Sequence, residues 1–377
     1  MSVVDLAELG DLERTTLTID TPQHPDWLRV FPVAHLAEHL LGRELGRLAG
    51  LSALTGHLRQ DVITVRFLVS RTGRSALDLP RLLELRDTTS ADFEQELRVL
   101  AAEDAILPAS LRSTGRLPAG LEQFRDAWRR TTPRLRLDRE PFVSGRMRAL
   151  LDPGSPAPWM DGLVTEAAEA AGGRGSASGR WVDGAADERQ EYADALAAVR
   201  RRLGGREPEL FMDGGPLDQY CSPASVFLAG LSAYRSPLFR RLREGPRPVY
   251  SLKLFDFPWR RRTFVACVTQ PATGPAAFSA TLGPRLAEIV AGLGTAELRT
   301  VRDEGCLAVL DDLVAVLDFP PRRAWLPVLA RLNDFSARPT DLARPVLDCT
   351  TDDLARYRDD FLDAYTRRVH RTAWEAV

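Results

Sequence analysis

The segment His35-Leu36-Ala37-Glu38-His39 constrains this chain more than any other feature. Apolar residues recur at helical spacing around it, which predicts a helix: Val33, Leu36, Ala37, Leu40, Leu41, Leu45 and Leu48. Two histidines four residues apart lie on one face of such a helix, one turn apart. Two imidazoles in this arrangement can bind a single Zn²⁺ ion. The alternative interpretation is an ordinary amphipathic helix with exposed histidines.

The same helix carries two further signals. Small residues continue the histidine stripe at Gly42, Gly46 and Ala49, so another element of the protein can approach this face closely. Glu38 lies directly beside His39. A carboxylate at that position can act as a general base for a reaction at the metal.

Length and composition set the frame for this motif. A chain of 377 residues is long enough for two or more domains, each with its own core. The net charge of −2 gives no argument for a nucleic-acid partner. No apolar run is long enough to span a membrane, and no secretory signal opens the chain, so we expect a cytoplasmic protein. The four cysteines are far apart in sequence and predict reduced thiols in the core.

Strand and helix signals alternate along both halves, which predicts an α+β fold with two domains. We expect strands at 15–19, 61–70, 249–255 and 264–269. Helices are predicted at 77–85, from a cap at Ser90, at 191–203, 285–293 and 295–317, and from Thr350 or Thr351. The Gly/Ser/Ala-rich stretch 171–179 is typical of a linker. The predicted units are therefore a zinc-binding domain over 1–151, a linker region over 152–190, and a C-terminal domain over 191–377.

A catalytic zinc site needs a third protein ligand and an open fourth position. The remaining histidines do not fit comfortably: His24, His57 and His370. Glu96 and Glu103 are seven residues apart, which places them two turns apart on one face of the helix that follows Ser90. A carboxylate ligand offsets part of the metal charge. Spacing alone is equally compatible with the alternative, that both are surface glutamates.

With these residues, the chain resembles the catalytic domain of the pitrilysin/insulinase metallopeptidases, in the short branch that includes processing peptidases. The resemblance implies that His35, His39 and Glu103 hold Zn²⁺. It also implies that Glu96 supports the site and that Glu38 is the general base.

The resemblance continues in the second half of the chain, where Arg243 and Tyr250 reproduce an arginine–tyrosine pair that family members carry seven residues apart. Ser236 and Pro237 predict the start of a helix and Gly245 predicts its end, so Arg243 should lie at the helix terminus. By resemblance, Arg243 and Tyr250 bind the peptide backbone and donate to the developing oxyanion. The alternative is that Arg243 is an exposed arginine and Tyr250 an ordinary strand residue, with no functional role for the pair.

The resemblance implies a zinc endopeptidase that cleaves an extended peptide in a closed chamber, with a leader or precursor peptide as one substrate class. Two related α+β domains would form half of a clamshell, which a homodimer or a heterodimer with a related subunit would complete. The zinc ligands and the arginine–tyrosine pair would lie at opposite ends of each chain. In that dimer, Arg243 and Tyr250 of one chain would therefore serve the zinc bound by the partner. The alternative is an inactive partner or scaffold subunit. Nothing in the sequence favours a hydrolase of non-peptide amides.

Overall fold

The structure is a computed structural model, and it describes residues 11–21, 27–48, 50–59, 62–75, 77–104, 109, 112–142, 188–216, 221–244, 249, 251–259, 262–270, 272–318, 326 and 339–375. Both halves of the chain mix helices with strands, which confirms the predicted mixture of helix and sheet. Most of the predicted linker region, including 171–179, lies outside the described residues.

In the first half, the described elements follow in the order β1 (Leu12–Asp20), α1 (Trp27–Arg47), β2 (Leu51–Arg59), β3 (Val62–Ser70), a one-turn helix (Arg71–Arg74), α2 (Leu79–Leu83), α3 (Ser90–Asp104), a 3₁₀ turn (Thr114–Arg116), α4 (Leu121–Arg130) and β4 (Arg134–Pro141). The strands form an antiparallel sheet in the order β2-β3-β1-β4. This order places β2 at one edge of the sheet, and α1 packs against β2 and β3.

The alternation of apolar residues in β3 explains why α1 is fixed on the sheet. Ile63, Val65, Phe67 and Val69 are buried in one core with the leucines of α1. Burial of each such side chain stabilises the fold by about 1.5–3 kcal/mol. Leu68 points to the opposite face and belongs to the core of the second half. The first sheet therefore carries the histidine helix on one face and contributes to the second core on the other.

Helix α3 begins one residue earlier than predicted, because its N-cap is Thr89 and not Ser90. The hydroxyl of Thr89 accepts a hydrogen bond from the Asp92 backbone at 3.2 Å, and the Asp92 carboxylate accepts one from the Thr89 backbone at 3.0 Å. Thr89 is thus the N-cap residue in a reciprocal capping arrangement. The prediction of Ser90 as the cap was wrong because this side-chain exchange places Ser90 in the first turn.

In the second half, the described elements are α5 (Glu188–Arg202), β5 (Leu210–Pro216), α6 (Pro223–Ser232), α7 (Pro237–Arg243), β6 (Ser251–Trp259), β7 (Arg262–Gln270), a short turn (Pro275–Ala277), a π-helical turn (Phe278–Leu282), α8 (Gly283–Ala291), α9 (Thr295–Asp318), α10 (Pro339–Leu347) and α11 (Thr351–Glu375). The strands pair in the order β5-β7-β6, and all pairs are antiparallel. The larger hydrophobic core of this half forms where helices α6 to α11 pack together against one face of the sheet.

Helices α6 and α9 cross with their backbones in contact. A Cβ atom on Gly230 would lie 1.9 Å from the carbonyl oxygen of Val301, and one on Gly305 would lie 2.0 Å from that of Val226. Side chains at either glycine would force the two helices apart. The crossing therefore depends on these two residues.

Three strands and three longer helices of the described chain were not foreseen in the sequence: β2, β4, β5, α4, α6 and α10. All four cysteines are buried, as predicted for core thiols. Among the helices that the structure describes, none combines the length and the apolar character that a bilayer crossing requires.

Candidate metal centre

His35 and His39 lie one turn apart on α1 and are both buried, with 5% and 2% of their surface exposed. Their rings meet edge to face, with centroids 5.1 Å apart. The alternative of an amphipathic helix with exposed histidines is therefore wrong. The apolar face of α1 is held by the sheet, so both rings are fixed on the buried side of the helix.

Glu103 lies in the last turn of α3, and its carboxylate reaches both histidines. Its Oε2 atom is 3.2 Å from Nε2 of His35 and 3.5 Å from Nε2 of His39. One ligand atom from each of the three residues lies within 4.8 Å of the others, so the group could hold a metal ion. Glu103 is 5% exposed and Glu96 fully buried, so the alternative of two surface glutamates is wrong.

The donor set also fits a metal in its chemistry. Two imidazole nitrogens and one carboxylate oxygen are a common set of protein ligands at catalytic zinc sites. The Oε2 atom of Glu103 is buried, and within the described part of the chain no donor reaches it with hydrogen-bond geometry. An unsatisfied buried acceptor costs about 1–3 kcal/mol, more when it is charged. A cation between Glu103 and the two imidazoles would remove that cost.

Glu38 borders the same cluster. Its Oε2 atom is 3.8 Å from Nε2 of His39, and the residue is buried. The edge strand β2 passes directly beside it, because a Cβ atom on Gly56 would lie 2.3 Å from Oε1 of Glu38. The carboxylate is thus held between the ligand cluster and the backbone of an edge strand.

Glu96 supports His39 from the side opposite to the ligand cluster. Its Oε2 atom is 3.3 Å from Nδ1 of His39. Arg43 donates from Nη1 to Oε1 of Glu96 at 3.1 Å, and Arg243 donates from Nη2 to Oε2 at 2.5 Å. A carboxylate that accepts from Nδ1–H leaves the lone pair of Nε2 directed at the metal position and makes the ligand more basic.

His35 has a different support, which sequence reasoning missed. Its Nδ1 atom lies 3.2 Å from the hydroxyl of Ser113, a fully buried residue. Asp104 holds this segment in place, because its carboxylate accepts backbone hydrogen bonds from Ser113 at 2.8 Å and from Thr114 at 2.7 Å. The position of Asp104 directly after Glu103 was the one available signal.

Arg243 lies at the metal centre of its own chain. The expectation that it would be far from its own chain's site and serve a partner was wrong. The small residues of α1 explain the difference, because the ring of Tyr234 packs on Gly42 and Gly46, with a Cβ on Gly46 only 3.0 Å from Cε1 of Tyr234. The guanidinium of Arg243 lies 5.4 Å from the same ring. Its partner in the predicted pair, Tyr250, lies outside the described residues.

Three buried residues of this group, His39, Glu96 and Glu103, have strongly shifted pKa values. Burial opposes a charge on His39, yet the nearby carboxylates of Glu103, Glu96 and Glu38 raise its pKa to about 9. Burial would raise the pKa of Glu103, but the close approach of the two imidazoles lowers it to about 2. Burial likewise opposes ionisation of Glu96, but the charge of Arg243 and the hydrogen bond from His39 lower its pKa to about 2. The cluster therefore favours a cation among its carboxylates.

Comparisons with known proteins add little to this geometry. No family model matches the sequence, and no curated protein matches it. Among solved structures, the chain is similar to a protease from Helicobacter pylori, with 13% identity, 94% of this chain and 92% of that chain covered, and a TM-score of 0.27. It is also similar to a conserved protein from Enterococcus faecalis V583, with 10% identity, the same coverage of 94% and 92%, and a TM-score of 0.28. These scores are too low to support an argument about fold or function.

Proposed function

We propose that this chain is a zinc-dependent endopeptidase of the pitrilysin/insulinase type. The observation that carries the proposal is the buried group of His35, His39 and Glu103 with Glu38 beside it. Three protein ligands and a neighbouring carboxylate are the arrangement of a hydrolytic zinc site, in which one position stays open for substrate. A structural zinc site would instead use a fourth protein ligand.

We propose zinc as the metal because two imidazoles and one carboxylate are a common ligand set at catalytic zinc sites. Imidazole suits several transition metals, whereas sites for Mg²⁺ and Ca²⁺ are built from oxygen ligands. Bound zinc would polarise the scissile carbonyl and make an attacking water more acidic. His35, His39 and Glu103 would hold it, while Ser113 and Glu96 fix the orientation of the two imidazoles.

Glu38 acts as the general base in this proposal. It takes a proton from the attacking water and returns it to the leaving amine, a task that typically contributes about 10²- to 10⁴-fold to the rate. Its position beside His39 places it at the rim of the ligand cluster. Glu38 is buried, with 7% of its surface exposed.

The substrate of this proposal is a peptide in extended form. Strand β2 pairs on one side with β3 and forms an edge of the described sheet, with Gly56 against Glu38. A peptide that added to this edge would receive main-chain hydrogen bonds and pass beside the base. We assign Tyr250 as a donor to the developing oxyanion, a contribution typically worth about 3 kcal/mol.

The assembly and the biological substrate are part of the same proposal. Two α+β domains, over 1–151 and 191–377, would form half of a clamshell chamber, which a homodimer or a heterodimer with a related subunit completes. A leader or precursor peptide in the cytoplasm fits a short member of this family. These points come from family resemblance rather than from the geometry of the site.

The test compares Glu38→Gln with Glu94→Gln, a control at an exposed position of α3. We expect Glu38→Gln to keep zinc and to lose about 10²- to 10⁴-fold in the rate at which a peptide library is cleaved. The control should keep both zinc and activity. Cleavage by Glu38→Gln at the wild-type rate would contradict the proposal. A wild-type protein that cleaves no peptide would favour the inactive partner subunit.

A further inference from the structure

We propose that Arg243 and Gln270, both from the second half of the chain, are positioning residues that orient the metal-binding groups of the same chain. The inference rests on the proposed metal site. It assigns to Arg243 a role behind His39 instead of a contact with substrate, and it assigns a role to Gln270, which no sequence motif indicated.

Arg243 acts on His39 chiefly through Glu96, although its Nη2 atom also lies 3.4 Å from Nδ1 of His39. Its guanidinium makes two contacts with the Glu96 carboxylate, from Nη2 to Oε2 at 2.5 Å and from Nε to Oε1 at 3.4 Å. The same Oε2 atom is 3.3 Å from Nδ1 of His39. Arg243 is 5% exposed and Glu96 is fully buried, so the pair is shielded from water. A two-point contact with a planar guanidinium fixes the plane of the carboxylate as well as its position.

Gln270 acts on the third ligand directly. It is the last residue of β7, and its Nε2 atom donates to Oε1 of Glu103 at 3.4 Å. The other carboxylate oxygen, Oε2, is the atom that faces both histidines. A donor on Oε1 holds the carboxylate in the orientation that presents Oε2 to the metal position. Hydrogen bonds of this kind behind a ligand typically change metal affinity by about 10- to 100-fold.

The two contacts meet the same helix from the second half. Glu96 and Glu103 are two turns apart on α3, and each has a partner from beyond the linker region. The end of α7 is docked on α3 by a hydrogen bond from Nε2 of Gln95 to the carbonyl oxygen of Arg243 at 2.6 Å. This backbone contact does not depend on the Arg243 side chain. Removal of the guanidinium should therefore leave Glu96 with only its Arg43 contact on Oε1 among the arginines that the structure describes, without separating the halves.

The geometry points to a metal centre whose supports are complete within one chain. A partner subunit would contribute to the substrate chamber, and it would not need to supply Arg243. The affinity of a single chain for zinc should accordingly depend on residues far from the ligands in sequence. Gln270 is 167 positions from the ligand Glu103, and Arg243 is 147 positions from Glu96, which supports His39.

The experiment measures the zinc dissociation constant by chelator competition, and the visible spectrum of the cobalt-substituted protein, for Arg243→Met and Gln270→Leu. Two exposed positions provide matched controls: Arg241→Met, whose guanidinium pairs with Glu297 away from the site, and Gln123→Leu on α4. We expect both test variants to bind zinc about 10- to 100-fold more weakly and to change the cobalt spectrum. The controls should match the wild type.

Arg243→Lys separates positioning from simple charge. A lysine keeps the cation but has no planar fork, so we expect zinc affinity between that of the wild type and that of Arg243→Met. If Arg243→Met does not fold, Arg243→Lys and Gln270→Leu carry the test. Unchanged zinc affinity and cobalt spectra in folded variants would overturn the inference while the proposed function stands. A wild-type protein that binds no zinc would overturn both.

Discussion

The two histidines of the candidate metal centre are supported in different ways. On one side, Nδ1 of His35 lies 3.2 Å from the neutral hydroxyl of Ser113, within the first half of the chain. On the other side, Nδ1 of His39 lies 3.3 Å from the charged carboxylate of Glu96, which also binds Arg243 from the second half. One imidazole therefore has a local, neutral support and the other a long-range, ionic one.

The two kinds of hydrogen bond to a metal-binding histidine have different requirements. A hydroxyl fixes the orientation of a ligand with one neutral hydrogen bond, which is worth about 1 kcal/mol net. A buried carboxylate makes the ligand more basic, but its own charge must be neutralised. Glu96 meets this requirement with Arg43 and Arg243. The ionic side thus ties the metal centre to the packing of the two halves.

Glu96→Gln should have the largest effect, because it leaves Arg243 buried at the site without its carboxylate. We expect a loss of about 3–5 kcal/mol in the free energy of unfolding, measured by chemical denaturation. Zinc affinity should fall by about 10- to 100-fold. Glu94→Gln, on the exposed face of the same helix, is the control and should be neutral. A loss below about 1 kcal/mol would mean that the ionic side is not a support.

The ionic side should also be the pH-sensitive one, through Asp92, because Asp92 accepts a hydrogen bond from Arg43, the same arginine that donates to Glu96. Burial would raise the pKa of Asp92, but hydrogen bonds from Arg47, Thr89 and Arg43 outweigh it and hold the pKa below its usual 3.8. A lowered pKa means that Asp92 stabilises the fold above the unfolded-state value and that this contribution is lost as the pH falls further. We expect denaturation to show a stability advantage of wild type over Asp92→Asn at about pH 6 that shrinks toward about pH 3. If the difference in the free energy of unfolding between the two proteins stayed constant from about pH 6 to about pH 3, Asp92 would not be the source of the pH dependence.

Ser113→Ala should have the smallest effect of the three. It removes one neutral hydrogen bond from His35, so we expect a loss of about 1 kcal/mol in the free energy of unfolding. Zinc affinity should fall by about tenfold, at the low end for residues behind a ligand. If Ser113→Ala were as damaging as Glu96→Gln, the contrast between the two sides of the site would be wrong.

The sequence predicted the parts of this site that local spacing determines. Histidines four residues apart share a helix face whatever the rest of the chain does, and Glu96 and Glu103 share one for the same reason. Spacing alone did not predict that α1 and α3 face each other, because the two glutamates could equally have been surface residues. The family resemblance supplied that prediction. Strand β3 was predicted from its alternating apolar residues, and the structure buries these residues as a set.

The rest depends on tertiary contacts that leave no local pattern. Ser113 reaches His35 across 78 positions, and Gln270 reaches Glu103 across 167. Neither residue belongs to a motif. The position of Arg243 was wrongly predicted because the packing of Tyr234 on Gly42 and Gly46 brings the second half against the histidine helix. The small residues indicated a close approach, but not which element would make it.

The zinc content of the purified chain tests the central claim most directly. Metal analysis should find about one zinc per chain in the wild type, because His35, His39 and Glu103 supply three buried ligands. In His39→Ala, which removes one of those ligands, we expect zinc to be lost while the circular dichroism spectrum keeps its helical content. A wild-type chain that carries no zinc and binds none when it is supplied would contradict the account, as would full zinc occupancy in His39→Ala.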